Sequence, residues 1–293
     1  MAHPLRIAAL RARSSLLFVP GLRPELLTKA AAAAPDLVCI DLEDAVAPDR
    51  KDEARAKTFA ALAARTPVAP ELLIRINGLA TPDGLEDLTA LIKSPLPPSG
   101  IMIPKTKAAA EIRILDEIVS SAARLDGLKF HVIIEANDGL ADAIAIARSS
   151  ARVASLLFGA VDMSSDLRCT NAWEPLLYAR SRVVHAAASA GVDALDVPFL
   201  DLEDNDGLAR EAASAAALGF TGKAAIHPKQ LLAIHDAFTP SALQVERARR
   251  IVAAYEASDS GLVVVGGKLI ELPVVRSMYR LLAGVDAAAQ SRG

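Results

Sequence analysis

A chain of 293 residues, 52% of them hydrophobic, is long enough for one large α/β domain or two small ones. A formal net charge of −3 with no basic run gives no electrostatic reason to expect nucleic acid, and no apolar stretch approaches the ~20 residues of a membrane span. Two cysteines, Cys39 in an apolar run and Cys169 in a loop, argue against a disulfide framework and suit a reducing cytoplasm.

The start of the chain, through Arg11-Ala12-Arg13-Ser14-Ser15, is basic and faintly like a transit peptide. Strand-like sequence begins almost at once, however, and no small-residue cleavage pattern follows an apolar core, so it reads as a short N-terminal arm. Apolar runs of strand length then alternate with segments of helical period. Strands are expected at 16–19, 37–42, 72–76, 100–103, 130–134, 154–158, 194–197 and 222–226. Helices are expected between them at 24–34, 50–64, 83–93, 107–124, 138–149, 174–190, 204–218 and 229–237. This alternation makes βαβ units, and eight of them in about 240 residues is the count and length of a closed (β/α)8 TIM barrel. An open doubly wound sheet would want a glycine-rich phosphate turn after its first strand, and Val19-Pro20-Gly21-Leu22-Arg23-Pro24 is not that turn. A helix at 241–257, the apolar run 262–265, a Gly266-Gly267 turn and a terminal helix from Pro273 follow. Residues 1–237 thus read as the barrel. Residues 238–293 read as an extension that packs on its own barrel, covers its mouth or reaches a neighbouring subunit.

In a barrel, chemistry belongs to the C-terminal ends of the strands. Val132-Ile133-Ile134-Glu135 and Phe158-Gly159-Ala160-Val161-Asp162 each read as a buried strand ending at one carboxylate, which is costly to bury unless a cation meets it. On neighbouring parallel strands Glu135 and Asp162 face one point, and its natural occupant is a hard divalent cation, Mg²⁺ by preference. Taken singly, each acid would instead cap the helix that follows. Arg75, inside the otherwise apolar Leu73-Ile74-Arg75-Ile76-Asn77, needs an anion, and its fork suits a carboxylate or a thioester oxygen. A resting ion pair with Glu43 or Asp44 competes for it. Glu43 and Asp44 are placed behind the metal, accepting hydrogen bonds from its water or from Arg75, while Asp41 reads equally as strand-end polarity. Lys105 has the position of a Schiff-base lysine, but nearby acids would keep it charged, so it reads as their partner. His227 is either a general base or a hydrogen-bonding fixture before Pro228. His131, His185 and His235 read as surface or packing residues. Arg23 and Lys29, at the rim after strand one, suit the phosphates of a ligand whose reactive end lies at the metal, with solvated surface charge as the competing reading. No nucleophile elbow and no histidine-based zinc spacing is present.

These residues fall within ordered motifs: Leu17-Phe18-Val19-Pro20-Gly21-Leu22-Arg23-Pro24, Ile40-Asp41-Leu42-Glu43-Asp44-Ala45-Val46, Arg75-Ile76-Asn77, Ile103-Pro104-Lys105, Ile134-Glu135, Phe158-Gly159-Ala160-Val161-Asp162, Leu177-Tyr178-Ala179-Arg180-Ser181, and Gly222-Lys223 with Ile226-His227-Pro228. The sequence resembles the HpcH/HpaI aldolase–citrate lyase β-subunit group, and within it the CitE-like branch with malyl-CoA and citramalyl-CoA lyases. The resemblance runs from about residue 14 to the C-terminus. It implies a TIM-barrel enzyme assembled as homotrimers or hexamers, with Mg²⁺ held by Glu135 and Asp162. It implies coenzyme A contacts at Phe18, Arg23 and Lys29, further substrate contacts at Ile226 and His227, and a substrate contact at Arg75. The implied reaction cleaves a short 3-hydroxyacyl-CoA of malyl, citramalyl or citryl type into an acyl-CoA and a 2-oxo acid.

Three departures bear on substrate. Family members commonly carry an aspartate in a Gly-Lys-Met-hydrophobic-Asp-hydrophobic-Pro stretch donated to a neighbouring subunit as the base. Here the stretch reads Gly267-Lys268-Leu269-Ile270-Glu271-Leu272-Pro273, with an arm one methylene longer. Val161 stands where relatives often have glutamate, and segment 163–173 looks unlike common relatives and is expected to shape the acyl pocket. The alternatives are a thioesterase on the same esters, a CoA-independent aldolase on pyruvate, and a non-catalytic subunit that depends on an acyl carrier.

Overall fold

The computed structural model describes residues 13–65, 70–258 and 262–291; the N-terminal arm ahead of Arg13 lies outside them. Eight parallel strands, β1 (Ser15–Pro20), β2 (Leu37–Asp41), β3 (Glu71–Arg75), β4 (Gly100–Ile103), β5 (Lys129–Ile134), β6 (Val153–Phe158), β7 (Asp193–Asp196) and β8 (Gly222–Ala225), pair in sequence order. The ring closes where Ser15 of β1 registers with Lys223 of β8. Every expected strand forms to within a residue at either end. Around them run α1 (Leu27–Ala32), α2 (Lys51–Ala64), α3 (Pro82–Lys93), α4 (Ala109–Ser120), α5 (Asn137–Ala141), α6 (Ala143–Ala147), α7 (Ala160–Leu167), α8 (Trp173–Ala190), α9 (Asn205–Leu218) and α10 (Leu231–Phe238). The helix expected at 138–149 is split into α5 and α6, and α7 was not anticipated.

Side chains alternate across each strand, so one set points into the ring and the other meets the helices. Leu16, Cys39, Leu73, Ile133 and Leu157 share one buried cluster inside the ring. Their neighbours Leu17, Ile40, Ile74, Ile134 and Phe158 join the larger cluster under the helices. Stepping two residues up from the inner set arrives at Phe18, Asp41, Arg75, Glu135 and Gly159 at the C-terminal mouth. Stepping two residues down from Leu73, Ile133, Leu157 and Leu195 arrives at Glu71, His131, Ser155 and Asp193 on the floor.

That floor corrects the reading of the histidines. His131 is fully buried, with Nδ1 2.8 Å from the Ser155 hydroxyl and Nε2 3.6 Å from Glu71. Arg13 donates to Glu71 (2.8 Å) and Asp193 (2.9 Å). Burial pushes the His131 pKa down, against the upward pull of Glu71. His235 also has a partner, the Ser15 hydroxyl at 2.8 Å. The floor is a polar plug, far along the strands from the mouth.

The loops after β2 and β3 are tied together from behind. Asp87 of α3 is fully buried and accepts from Arg55 of α2 (2.7 Å), from the Asn77 backbone N–H (2.8 Å) and from Asn77 Nδ2 (2.7 Å). Asn77 Nδ2 also donates to the Leu42 carbonyl at 3.1 Å. One carboxylate therefore sets where Asp41 and Arg75 end.

Arg13–Phe238 forms one compact unit and the chain from Thr239 another. The second contains α11 (Ala242–Glu256), an antiparallel hairpin of β9 (Leu262–Val265) and β10 (Lys268–Glu271), and α12 (Leu272–Ser291). Gly266 and Gly267 turn the hairpin at φ of +57° and +74°, values that glycine adopts without strain. Ile251, Ile270 and Val275 form its small core, while Val264 and Leu269 on the other hairpin face are exposed.

Replacing Asp87 by alanine removes the acceptor of Arg55 Nε and of the buried Asn77 backbone N–H and amide. We expect Asp87→Ala to lower unfolding stability by about 3 kcal/mol, read from the urea midpoint. A loss below about 0.5 kcal/mol, the scale of an ordinary surface substitution, would show that the loops are held in some other way.

Candidate active site

Arg75 ends β3 facing inward, and the carboxylate of Asp41, its register partner on β2, meets it as a fork: Nε to Oδ1 at 2.7 Å and Nη2 to Oδ2 at 2.6 Å. The same Asp41 oxygens accept the backbone N–H groups of Glu43 (2.9 Å) and Ala45 (3.0 Å), which folds the turn after β2. Arg75 lies over the Phe18 ring at 5.2 Å, and its remaining Nη1 reaches Glu43 (3.1 Å) and Asp44 (3.3 Å). Burial alone disfavours its charge, but Asp41 and the two further acids outweigh that and raise its pKa. The expected ion pair of Arg75 with Glu43 or Asp44 is present; the stronger partner is Asp41, which is therefore more than strand-end polarity.

Lys105 follows β4 with φ of +54°, a left-handed conformation that costs a non-glycine residue about 1 kcal/mol. That turn aims its backbone N–H at Glu135 Oε1 (2.7 Å) while its Nζ reaches Glu43 Oε1 (2.6 Å). Its pKa is raised: partial burial opposes the charge and the Glu43 bond overrides it. The lysine is a charge partner here, as its acidic surroundings imply.

Glu135 is 4% exposed, and its pKa is pushed up to about 7 by burial first, then by the charges of Glu43 and Asp162. A Cβ at position 159 would lie 2.6 Å from both Cβ and Oε2 of Glu135, so only glycine lets the carboxylate occupy this place. Asp162 is not a strand-end residue. It sits in the first turn of α7, after Gly159 ends β6, where the helix N-terminus favours its charge.

A cavity of about 360 Å³ opens here, lined by Phe18, Asp41, Asp44, Arg75, Glu135, Asp162 and Ile226, and closed on one side by Val197, Pro198 and Leu200 after β7. The expected segment 163–173 does not line it; Val161 and the β7 loop do, and Asn171 and Ala172 line an adjoining hollow instead. Arg23 is exposed and paired with Glu25 (3.2 Å), Lys29 is exposed, and neither reaches the cavity wall. His227 accepts the Lys229 backbone N–H at Nδ1 (3.1 Å), capping a turn as a hydrogen-bonding fixture. Glu271 lies in the second unit, exposed at the end of β10.

The donor set fits a hard cation. Two carboxylates share the wall, and burial, together with the charge of Asp162, disfavours the ionised form of Glu135 until a cation meets it. Oxygen donors of this kind are the ligands of Mg²⁺. Among the described residues another acid cluster, Asp52, Asp83 and Glu86, is geometrically tighter, but the Arg55 guanidinium already fills it at 2.5, 3.3 and 2.7 Å.

Fold and mouth together define a TIM-barrel protein whose polar groups suit an anionic, metal-chelating small molecule. The family model described as HpcH/HpaI aldolase/citrate lyase matches residues 14–228, and the chain belongs to that family. It is 32% identical to the citrate lyase subunit beta of Leuconostoc mesenteroides subsp. cremoris over 97% of both chains. It is 35% identical to an L-malyl-CoA/beta-methylmalyl-CoA lyase of Cereibacter sphaeroides over 89% of this chain and 90% of that one. Among solved structures it is similar to CitE from Mycobacterium tuberculosis in complex with magnesium, acetoacetate and coenzyme A. That match has a TM-score of 0.78 and 31% identity over 94% of this chain and 100% of that one. RipC from Yersinia pestis matches at a TM-score of 0.71 and 37% identity, over 80% and 99%.

The raised pKa of Glu135 carries a sign. Folding favours its protonated form, so this contribution to stability is full below about 4.5 and is lost as pH rises through about 7. In chelator, we expect the wild-type Tm to drop between pH about 5 and about 8 by more than that of Glu135→Gln. Mg²⁺ should restore the wild type at the upper pH and leave the variant unmoved. Parallel melting profiles with and without metal would contradict this.

Proposed function

We propose that this chain is a Mg²⁺-dependent carbon–carbon lyase that cleaves a short 3-hydroxyacyl-CoA of malyl, citramalyl or citryl type into an acyl-CoA, such as acetyl-CoA, and a 2-oxo acid. The observation that carries the reading is the placement of a clamped arginine and the Glu135–Asp162 pair in the wall of one cavity. The names of the relatives and the ligands of CitE support the same reading.

Glu135 and Asp162 would hold Mg²⁺, which would supply the Lewis acidity that makes the substrate hydroxyl easier to deprotonate. The rest falls to the chain. A base removes the hydroxyl proton, the carbon–carbon bond breaks as the carbonyl of the oxo acid forms, and the electron pair moves onto the thioester as an enolate, which a proton then quenches. Arg75, fixed by Asp41 and backed by Phe18, presents Nη1 to the growing negative charge on the thioester oxygen. Glu43 and Asp44 balance Arg75 and Lys105, and their free lone pairs would accept hydrogen bonds from water on a bound cation. Ile226 lines the acyl path, with His227 beside it. Phe18, Arg23 and Lys29 take the coenzyme A, the two exposed cations at the rim meeting its phosphates.

Glu271 is our candidate for the base, delivered by a neighbouring subunit of a homotrimer or hexamer, with residues 238–293 acting as a lid. Its strand end is exposed, and the hairpin face it shares with Leu269 is apolar, as a surface meant to be covered would be. The reaction's soluble acids and esters fit a cytoplasmic setting, and no helix among the described residues is long and apolar enough to cross a membrane.

The test is incubation of purified protein with Mg²⁺ and the three CoA esters, with oxo acid and free thiol followed separately. We expect oxo acid without thiol, and Asp162→Asn should lower that turnover about a hundredfold or more with the fold retained. Thiol without oxo acid would make the protein a thioesterase. Silence until an acyl-carrier protein is added would make it a carrier-dependent subunit. Glu271→Asp should keep or raise the rate while Glu271→Ala abolishes it; indifference to both changes would remove Glu271 from the mechanism.

A further inference from the structure

Glu135 and Asp162 stand on two separate stretches of chain, and those stretches are tied together on either side of the pair. On the near side the Gly159 backbone N–H, just past β6, donates to the Ile134 carbonyl at the end of β5 (3.1 Å). On the far side Asp166, one turn along α7 from Asp162, accepts the Asn137 backbone N–H on Oδ2 (2.5 Å). Asn137 Nδ2 returns a bond to the Asp166 carbonyl (3.1 Å). Residues 134–137 and 159–166 are thus joined at both ends, with Glu135 between the ties on one stretch and Asp162 on the other.

The far tie is made by a side chain whose place needs a reason. Asn137 opens α5, and the first N–H groups of a helix have no partner within it. Ala136, at the N-cap, has no side-chain oxygen to supply one. Asp166 supplies it from another element, although it stands in the last turn of α7, the end of a helix that disfavours a carboxylate. On its other flank α5 is seated against the loop after β4: a Cβ at Gly139 would lie 2.2 Å from the Thr106 carbonyl, and Asp142 accepts the Ala109 backbone N–H at 2.7 Å. Asp166 carries that position across to α7. Resting on the metal that the lyase reading requires, we propose that Asp166 is a positioning residue. Through Asn137 it fixes the separation of Glu135 and Asp162, and so sets the affinity of the mouth for a divalent cation. Mg²⁺ demands near-ideal ligand geometry, so a small drift of α7 against β5 weakens its binding. Both side chains of the tie are exposed, so removing it takes away position more than stability.

Manganese binding, as a stand-in for magnesium, is measured by calorimetry, counting only the site that Glu135→Gln abolishes. We expect Asp166→Ala to weaken that site about tenfold or more, the scale for a residue that orients a metal ligand. Its melting temperature in chelator should stay close to that of the wild type. Asp166→Asn keeps an oxygen for the Asn137 N–H and should recover most of the affinity. Asp138→Ala removes an exposed acid beside Asn137 without touching the tie, and should bind as the wild type does. Wild-type affinity in a folded Asp166→Ala would overturn the proposal. So would an equal loss in all three variants, which would reduce the effect to net charge. Should Asp166→Ala not fold, Asn137→Ala removes the reciprocal bond, and unchanged affinity there overturns it likewise. A wild-type mouth that takes no manganese would sink the metal reading itself. Manganese held equally by wild type and Asp166→Ala would leave that reading standing and remove only this one.

Discussion

The ion pair between Asp41 and Arg75 is the contact on which the mouth of the barrel depends. Neither residue can leave: each is an inward-facing end of a strand whose register is set by the strands beside it. A buried pair of this kind adds little net stability over apolar packing, although removing one partner costs about 3–5 kcal/mol. Its value is positional. By taking two of the three guanidinium nitrogens, Asp41 fixes the plane of Arg75 and leaves Nη1 turned to Glu43 and Asp44 at the cavity wall. Through the same two oxygens it also shapes the turn that carries Glu43 and Asp44.

From that clamp the charge balance of the mouth follows. Asp41, Glu43, Asp44, Glu135 and Asp162 are five carboxylates against the two cations Arg75 and Lys105. The excess is concentrated on Glu135, the acid met by a backbone N–H and by no cationic side chain. A divalent cation would offset most of this excess, and the glycine at 159 lets the carboxylate that would hold it occupy its place. Behind β7 and β8 the solution differs: Arg180 and Lys223 balance Asp196 and Glu211 outside the ring.

Much of this was legible in the order of residues because a parallel barrel buries both faces of its strands. Its strands then read as short unbroken apolar runs, and a polar residue at the end of such a run stands out. Glu135 and Arg75 were found in that way. Period alone does not show which acid meets which cation, since that depends on register across strands; so Asp41, opposite Arg75, passed as ordinary polarity. Asp162 lies three residues into a helix rather than on its strand because Gly159 ends β6 early. His131 reads from sequence only as a surface or packing residue because its partners Ser155 and Glu71 come from other strands of the floor. Lys105 supplies a backbone N–H through a left-handed turn that no side-chain pattern signals.

We propose that the mouth is built around a cation between Glu135 and Asp162. Crystals grown with Mn²⁺ in place of Mg²⁺ test it directly by anomalous scattering. A strong anomalous peak is expected within coordination distance of both carboxylates, lost in Glu135→Gln. A strong peak at Asp52, Asp83 and Glu86 instead, or a mouth without manganese at saturating concentration, would contradict it.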